Sequence, residues 1–165
     1  MHRLWAPWRC TYVEGVAGSV ASGCFLCEFP QAGDDRAHGI VWRWTRWYAM
    51  LNAYPYTNGH LMLVLGRHAE GFVELDPDEG SEMAPALQQC EAALRAAYAP
   101  QGLNIGINMG RAAGAGAAGH LHVHLVPRWN GDTNFMSTVA ETRVLPEGLD
   151  RSFTRLREAF ESRRP

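Results

Sequence analysis

Residues 117–129, AAGHLHVHLVPRW, contain the feature that most restricts the fold: three histidines alternate with aliphatic residues. An alternation of period two predicts a β-strand with one buried face. His120, His122 and His124 would then share one face, roughly 7 Å from each to the next at about 3.3 Å rise per residue. The aliphatic residues between them would point into a core. One face of a sheet therefore carries a row of groups that can bind metal, donate a proton or attack an electrophile.

A loop rich in glycine and alanine, RAAGAGAAG at 111–119, leads directly into this strand. Positions without large side chains let backbone N–H groups approach an anion closely, as in phosphate-binding loops. The combination predicts a phosphate ester held beside a histidine that forms a covalent intermediate, while a neighbouring histidine protonates the leaving oxygen. A metal site formed by the three histidines alone is the alternative, and the sequence leaves both open.

Length and charge restrict the class of protein. The chain has 165 residues and a formal net charge of -2, so it can form one domain with a substantial core, and nothing favours binding to nucleic acid or to anionic membranes. No run reaches the ~18 apolar residues of a membrane span, and the first residues lack the apolar segment of a secretory signal. We therefore expect a cytoplasmic protein. All fifteen basic residues are arginine, which excludes a lysine nucleophile or Schiff base.

Two of the four cysteines, Cys24 and Cys27, form the sequence CFLC. A CxxC pair in a cytoplasmic chain indicates metal or redox chemistry. The surrounding residues do not suggest the βαβ context of a redox pair, and a zinc site needs two further ligands from elsewhere in the chain. Cys10 and Cys90 are isolated, and we expect them to be inert buried thiols.

Strands in succession with one main helix indicate an α+β fold with an antiparallel sheet. The predicted strands cover 40–44, 47–53, 60–66, 103–110 and the histidine run. A helix is predicted within 75–100, with Asp76 as N-cap, Glu79 completing a capping box and Pro100 ending the run. Pro85 inside this segment argues against regular structure in its first turns. A C-terminal helix is predicted at 151–164.

The histidine run, HLHVHLV at 120–126, resembles the signature of the histidine triad (HIT) family. The segment 52–79 resembles the upstream strand and helix start of that family, and CFLC is similar to a cysteine pair found in many bacterial members. LWAPWR at 4–9 and VPRWNGDTNFM at 126–136 resemble the branch that acts on diadenosine tetraphosphate. The resemblance implies a HIT-like fold: a five-stranded antiparallel sheet with one main helix and a C-terminal helix.

The same resemblance implies one HIT-like domain over 1–165, with an N-terminal arm at 1–30 and a C-terminal extension at 130–165. It also implies a two-fold symmetric homodimer. A further reason for a dimer is the aromatic run VWRWTRW at 41–47, because a small monomer does not readily cover so many tryptophans.

The resemblance assigns roles to individual residues. His122 would attack the α-phosphorus and carry the nucleotidyl group, His124 would contact phosphate oxygens, and His60 would complete the cluster. His120 would order the site. Substrate contacts are implied for Asn52 at a ribose hydroxyl and for Asn108 at a phosphate. In zinc-containing members a structural zinc ion has ligands that correspond to Cys24, Cys27, His68 and His120.

The chain departs from the family pattern at Gly116 and Ala117. Hydrolases of diadenosine polyphosphates often have glutamine at the first of these positions, and phosphoramidase-type members have serine at the second. Small residues there lack a polar group to orient water but leave room and amides for phosphate. We therefore expect phosphorolysis of dinucleoside polyphosphates rather than hydrolysis. The alternatives are a nucleoside phosphoramidate hydrolase and a nucleotide-binding protein of low turnover.

Overall fold

The computed structural model describes residues 23–133 and 147–163, so the motif at 4–9, Cys10 and the last three residues of 126–136 lie outside the described residues. Its centre is an antiparallel five-stranded sheet in the order β1-β2-β3-β5-β4. The strands are β1 (Ile40–Arg43), β2 (Trp47–Leu51), β3 (Leu61–Leu65), β4 (Gly102–Gly106) and β5 (His122–Arg128). The predicted α+β class and antiparallel sheet are confirmed.

Three α-helices accompany the sheet: α1 (Phe25–Glu28), α2 (Pro77–Tyr98) and α3 (Leu149–Glu161). Short 3-10 helices lie at Phe29–Gln31, Phe72–Glu74 and Arg111–Ala113. None of the helices in the described part of the chain is long and apolar enough to cross a membrane.

The long helix α2 begins as the sequence predicts. The Asp76 carboxylate accepts from the Glu79 amide at 2.7 Å, and the Glu79 carboxylate accepts from the Asp76 amide at 2.9 Å. A cap of this kind is worth about 1 kcal/mol of helix stability. The expectation that Pro85 disturbs the first turns is wrong, because the helix runs through it for 22 residues.

Each face of the sheet packs against its own layer. The aliphatic residues of the histidine run, Leu121, Val123 and Leu125, belong to the main core that the sheet forms with α2 and α3. The opposite face carries a smaller cluster in which Leu26 of α1 packs against Met62 and Val64 of β3. The predicted two-sided strand is confirmed, and its histidines lie on the side of α1.

Four predicted strands extend beyond the observed ones. β1 ends at Arg43 instead of residue 44. β2 ends at Leu51 instead of residue 53, β3 covers 61–65 instead of 60–66, and β4 ends at Gly106 instead of residue 110. Gly106 pairs with His124, and beyond that point the chain turns away from the sheet toward Gly110, which has a φ of 80°. His120 also lies just before β5 rather than within it.

The aromatic run at 41–47 is covered by the chain itself. Trp47 is in the core, and its indole N–H donates to the Glu79 carbonyl at 2.9 Å. Trp42 stacks on Phe160 of α3 with ring centroids 5.4 Å apart, and Trp44 meets the same ring edge-on at 5.9 Å. The argument from exposed tryptophans is therefore wrong, and the homodimer stays a prediction from the family resemblance.

Candidate active site

The sheet register brings three histidines together. On β5, His122 lies opposite Val64 and His124 opposite Met62 of β3. His60 is completely buried immediately before β3, where its backbone carbonyl accepts from the Asn52 amide at 3.0 Å. Strand pairing therefore places His60 beside His124, at 5.1 Å between ring centroids, and His124 beside His122, at 4.9 Å.

Hydrogen bonds assign the protons of two of these rings. The backbone N–H of Tyr56 donates to Nδ1 of His60 at 3.1 Å, so the His60 proton lies on Nε2. That proton is directed to Nδ1 of His124 at 3.0 Å. Nδ1 of His124 is then an acceptor, and its own proton lies on Nε2. The chain of contacts makes His124 a hydrogen-bond donor toward a bound substrate.

The proton of His122 lies on the other ring nitrogen from that of His124. Its Nδ1 donates to the backbone carbonyl of His120 at 2.7 Å, so Nε2 is the unprotonated nitrogen. A lone pair on Nε2 is what a nucleophilic imidazole requires. The site thus holds one attacking nitrogen and one donor N–H on adjacent rings.

Burial keeps these rings neutral. The pKa of His60 is lowered to about 3 by burial and by the neighbouring imidazoles of His124 and His122. The pKa of His124 is lowered to about 4 by burial and by His122. Burial also lowers the pKa of His122, against an opposing effect of its hydrogen bond to the His120 carbonyl. A lowered pKa favours the unprotonated imidazole of His122, which keeps its attacking lone pair available at neutral pH.

A cavity of about 520 Å³ opens beside His122 and His124. We call it the proximal cavity. Its walls are mainly aromatic and aliphatic. They come from α1 and the 3-10 helix after it, the loop before β1, β2, β3 and α3, and they include Phe25, Phe29, His38, Met50, Met62 and Phe153. This volume and this lining are typical of a site for a planar organic group.

Two polar features complete the proximal cavity. Asn52 lines it with Oδ1 engaged by the Tyr54 amide at 2.9 Å, and Nδ2 has no acceptor among residues 23–133 and 147–163. Gly116 and Ala117 also line it, and within the same described ranges their backbone N–H groups have no acceptor. Free amides beside an imidazole nucleophile can bind an anion such as a phosphate.

Asn108 lies elsewhere. It lines a second cavity of about 370 Å³, which we call the distal cavity, together with residues of β4 and β5. His124 and Tyr56 line both cavities, whereas His122 lines only the proximal one. The predicted substrate residues are therefore divided, with Asn52, Gly116 and Ala117 on one side of His124 and Asn108 on the other.

The predicted metal ligands converge at a separate point. One ligand atom from each of Cys24, Cys27, His68 and His120 lies within 4.8 Å of all the others. Nε2 of His120 donates to the Leu65 carbonyl at 2.7 Å, which leaves the Nδ1 lone pair for the cluster. The Sγ atoms of Cys24 and Cys27 lie 3.3 and 3.4 Å from that Nδ1. A tetrahedral zinc ion separates sulfur and nitrogen ligands by about 3.6 Å, so the four residues fit one.

This arrangement argues against a metal site made by the three histidines alone. Among the described residues, the group that can hold a metal includes His120 but neither His122 nor His124. The row of histidines is therefore divided between two sites. His120 belongs to the metal-capable cluster, while His122 and His124 face the cavities.

Sequence reasoning missed several parts of this site. The Tyr56 amide that fixes the His60 proton is a backbone group, and no residue pattern indicates it. Phe25 and Phe29 were visible only as residues around the CFLC motif, and Phe153 only as part of a terminal helix. They line the proximal cavity because α1 and α3 pack at its edges.

Comparison with known proteins agrees with this geometry. The HIT domain family model matches residues 37–131. The chain belongs to the HIT family. An AP-4-A phosphorylase from Mycobacterium tuberculosis is 36% identical over 155 residues, which is 90% of this chain and 79% of that relative.

Solved HIT structures have the same fold. A hypothetical histidine triad nucleotide-binding protein from Sulfolobus tokodaii superposes with a TM-score of 0.69 at 27% identity, covering 84% of this chain and 93% of that one. A Zn-bound histidine triad family protein from Mycobacterium smegmatis gives 0.68 at 27% identity, covering 85% and 94%. The HIT-like fold expected from the sequence is confirmed.

Proposed function

We propose that this HIT protein cleaves dinucleoside polyphosphates, with diadenosine tetraphosphate as a substrate, by transferring a nucleotidyl group through His122 to inorganic phosphate. The observation that carries the proposal is the pair of opposite protonation patterns on adjacent rings. Nε2 of His122 is unprotonated, and Nε2 of His124 carries a proton. The AP-4-A phosphorylase of M. tuberculosis, 36% identical, supports the substrate class.

In the first step, Nε2 of His122 attacks the α-phosphorus, and an N–P bond forms as the bond to the bridging oxygen breaks. The adenylyl group stays on His122, and ATP leaves. Nε2–H of His124 donates a hydrogen bond to the phosphate oxygens, and the amides of Gly116 and Ala117 are available to the same group. These donors stabilise the negative charge that develops in the transition state.

The low pKa of His124 favours a phosphate leaving group. A neutral imidazole with a pKa of about 4 in its protonated form supplies a hydrogen bond but no proton at neutral pH. A polyphosphate leaves as an anion and needs no proton, whereas the amine of a phosphoramidate does. The proposal therefore assigns His124 a hydrogen bond to the leaving oxygen in place of the proton transfer expected from the sequence. It also favours dinucleoside polyphosphates over nucleoside phosphoramidates.

The second step favours phosphate as the acceptor for a similar reason. A phosphate dianion attacks the adenylyl group on His122 without losing a proton, the N–P bond breaks, and ADP is formed. Water would have to lose a proton, and neither Gly116 nor Ala117 has a side chain that accepts one. Diadenosine tetraphosphate and phosphate would thus give ATP and ADP.

The covalent intermediate is tested by rapid quenching. Enzyme mixed with dinucleotide labelled at the α-phosphorus, without phosphate, should retain label on the protein, and the bond should be stable to base and labile to acid. A His122→Asn variant should retain none. A protein that binds the dinucleotide but never becomes labelled or releases product would be a nucleotide-binding protein. Faster cleavage of a phosphoramidate than of the dinucleotide would favour a phosphoramidate hydrolase.

We also propose that a structural zinc ion is held by Cys24, Cys27, His68 and His120. A closed tetrahedral set of four protein ligands is typical of structural zinc sites. The Zn-bound relative from M. smegmatis supports this metal. The ion would tie α1, which contains Cys27 and begins after Cys24, to the loop of His68 and to the start of β5. A homodimer and a cytoplasmic location complete the proposal.

A further inference from the structure

The distal cavity has a lining unlike that of the proximal cavity. Its polar groups are the carboxamides of Asn104 and Asn108, the hydroxyl of Thr57 and the guanidinium of Arg128. Its apolar lining includes Val126 of β5, which lies on the same sheet face as His124; Ile105 and Ile107 also border the cavity, but alternation along the strand directs the Ile105 side chain to the opposite face, where Ile107 packs against the main core. A cavity of about 370 Å³ with this mixed lining is within the usual size range of small-molecule sites.

Arg128 is held in place at the edge of this cavity. Its Nε and Nη2 donate to the two carboxylate oxygens of Asp132 at 2.6 and 2.7 Å, and Nη1 donates to Oδ1 of Asn104 at 2.8 Å. The Asn104 carboxamide is thereby oriented with Nδ2 available as a donor. Among the described residues, Arg128 is the one cationic side chain that lines the distal cavity. The wall therefore offers oriented donors with little net charge.

The positions of His122 and His124 relative to the two cavities indicate which part of the substrate the distal cavity binds. His122 lines the proximal cavity alone, and His124 lines both. In an in-line displacement the leaving oxygen departs on the side opposite the attacking nitrogen. When His122 attacks a phosphorus atom, the leaving group therefore departs past the donor N–H of His124 and toward the distal cavity.

We propose that the distal cavity binds the leaving nucleotide of a dinucleoside polyphosphate, so that the substrate passes over His124 with one nucleoside in each cavity. This inference rests on the proposed function. The carboxamides of Asn104 and Asn108 would contact polar edges of the leaving nucleotide, and Val126 and the ring of Tyr56 would contact its base or ribose. The enzyme would then select substrates by the size of the leaving group as well as by the nucleotide that His122 receives.

Gly106 allows a direct test. It pairs with His124 across β4 and β5, so a side chain there would lie on the same face as the imidazole. A Cβ at Gly106 meets no atom within 4 Å, and the residue is not in the left-handed region. A Cβ therefore fits at Gly106 in the free protein, and the larger side chain of Gly106→Leu would extend from it on the His124 face of the sheet.

Gly102 provides the matched control. It lies on the same strand and the same face, opposite Arg128, but it does not line the distal cavity. A Cβ there makes an ordinary contact of 3.9 Å with Cβ of Arg128. Gly102→Leu adds the same side chain to β4 outside the site.

The experiment compares two substrates with phosphate present: diadenosine tetraphosphate, and adenosine 5′-phosphorofluoridate, whose leaving group is fluoride. For Gly106→Leu we expect kcat/KM on the dinucleotide to fall at least about tenfold, since the added side chain occupies the leaving-nucleotide site. Activity on the phosphorofluoridate should stay within about twofold of wild type, as should both activities of Gly102→Leu. Gly106→Ala, which retains more of the cavity, should show a smaller loss in the same direction.

The other outcomes separate two kinds of failure. An unimpaired Gly106→Leu enzyme, or equal losses on both substrates, would contradict the distal-cavity proposal while leaving the proposed function intact. If Gly106→Leu does not fold, Gly106→Ala decides by the same comparison. A wild-type enzyme that cleaves the phosphorofluoridate but not the dinucleotide would contradict the proposed function itself.

Discussion

Nδ1 of His122 donates a hydrogen bond to the backbone carbonyl of His120, 2.7 Å away. The side chain of His120 meanwhile turns its Nδ1 toward the sulfurs of Cys24 and Cys27 and donates from Nε2 to the Leu65 carbonyl. One residue therefore orients the nucleophile with its backbone and contributes to the metal-capable cluster with its ring. The two sites share a short piece of chain, and a disturbance at the cluster should reach His122.

Replacing His122 should stop turnover without stopping binding. His122→Asn removes the attacking nitrogen, and the described site offers no second nucleophile in its place, so we expect kcat to fall by at least about 10³-fold. The proximal cavity keeps its aromatic walls and its free amides, so the dissociation constant of the dinucleotide, measured by calorimetry, should change little. Near wild-type kcat in His122→Asn would exclude covalent catalysis at this residue.

The buried histidines should make stability depend on pH. The pKa of His60 is about 3 and that of His124 about 4 in the folded protein, whereas histidine in an unfolded chain has a pKa of about 6.5. On acidification the unfolded chain binds these protons first, so the free energy of unfolding should fall as pH drops below about 6.5 and continue to fall toward the folded pKa values. Each such group contributes a slope of up to about 1.4 kcal/mol per pH unit.

Denaturant unfolding at a series of pH values measures this slope. His60→Phe removes one of the groups, so between about pH 6.5 and about pH 5, above the range in which most carboxylates titrate, its slope should be smaller than that of wild type. His38→Phe is the control, because His38 stacks on Phe29 at the edge of the proximal cavity rather than in the core. Identical slopes in wild type and His60→Phe would show that His60 is not held neutral by burial.

Removing the metal should loosen one wall of the proximal cavity. Phe25 and Phe29 line that cavity, and α1 is attached to the sheet through Leu26, whose carbonyl accepts from the Tyr48 hydroxyl at 2.6 Å, and through the Cys24 and Cys27 cluster. Protein purified without chelator should contain about one zinc ion per chain, and Cys24→Ser should contain almost none. Amide hydrogen exchange should then accelerate around residues 24–29, and the KM for dinucleotide should rise.

Cys90→Ala is the control for the metal experiment. Cys90 is buried in α2, away from the cluster, so its replacement should leave zinc content unchanged. Wild-type protein without zinc, or Cys24→Ser protein with unchanged hydrogen exchange around 24–29, would show that the ion does not hold α1.

A polar side chain at position 117 should shift the product from ADP toward AMP. Ala117 lines the proximal cavity, and Ala117→Ser adds one hydroxyl that can orient water. At a fixed phosphate concentration we expect the AMP fraction to rise severalfold while total turnover stays comparable. Ala115→Ser tests the specificity of the effect, because Ala115 lies in the same loop but does not line the cavity. An unchanged AMP fraction in Ala117→Ser would mean that this position does not select the acceptor.

The histidine run was sufficient to predict the strand and its two faces, because alternation of period two is a local property of the chain. The antiparallel sheet was predicted from the succession of strands with one main helix. The capping box of α2 was predictable for the same reason, since Asp76 and Glu79 interact within one turn. Pro85 misled because it lies in the interior of α2, where a proline removes one helix hydrogen bond, and the packing of α2 against the sheet outweighs that loss.

The parts of the site that could not be predicted depend on contacts between residues far apart in the sequence. The sequence did not indicate that Asn52 and Asn108 line different cavities; Asn52 follows β2 and lines the proximal cavity, whereas Asn108 follows β4 and lines the distal one. The tryptophans of 41–47 were misread because Phe160 of α3, far along the chain, packs against Trp42 and Trp44. The nitrogen that carries the proton on each histidine ring could not be predicted either, because it depends on backbone groups that the fold brings close to the rings.

The most direct test of phosphate as the acceptor is product analysis with and without phosphate. Purified wild-type protein is incubated with diadenosine tetraphosphate, and nucleotides are separated at several phosphate concentrations. We expect ATP and ADP in equal amounts, at a rate that rises with phosphate, and at most one equivalent of ATP per active site when phosphate is absent. Formation of ATP and AMP at full rate without phosphate would contradict transfer to phosphate and make the protein a hydrolase.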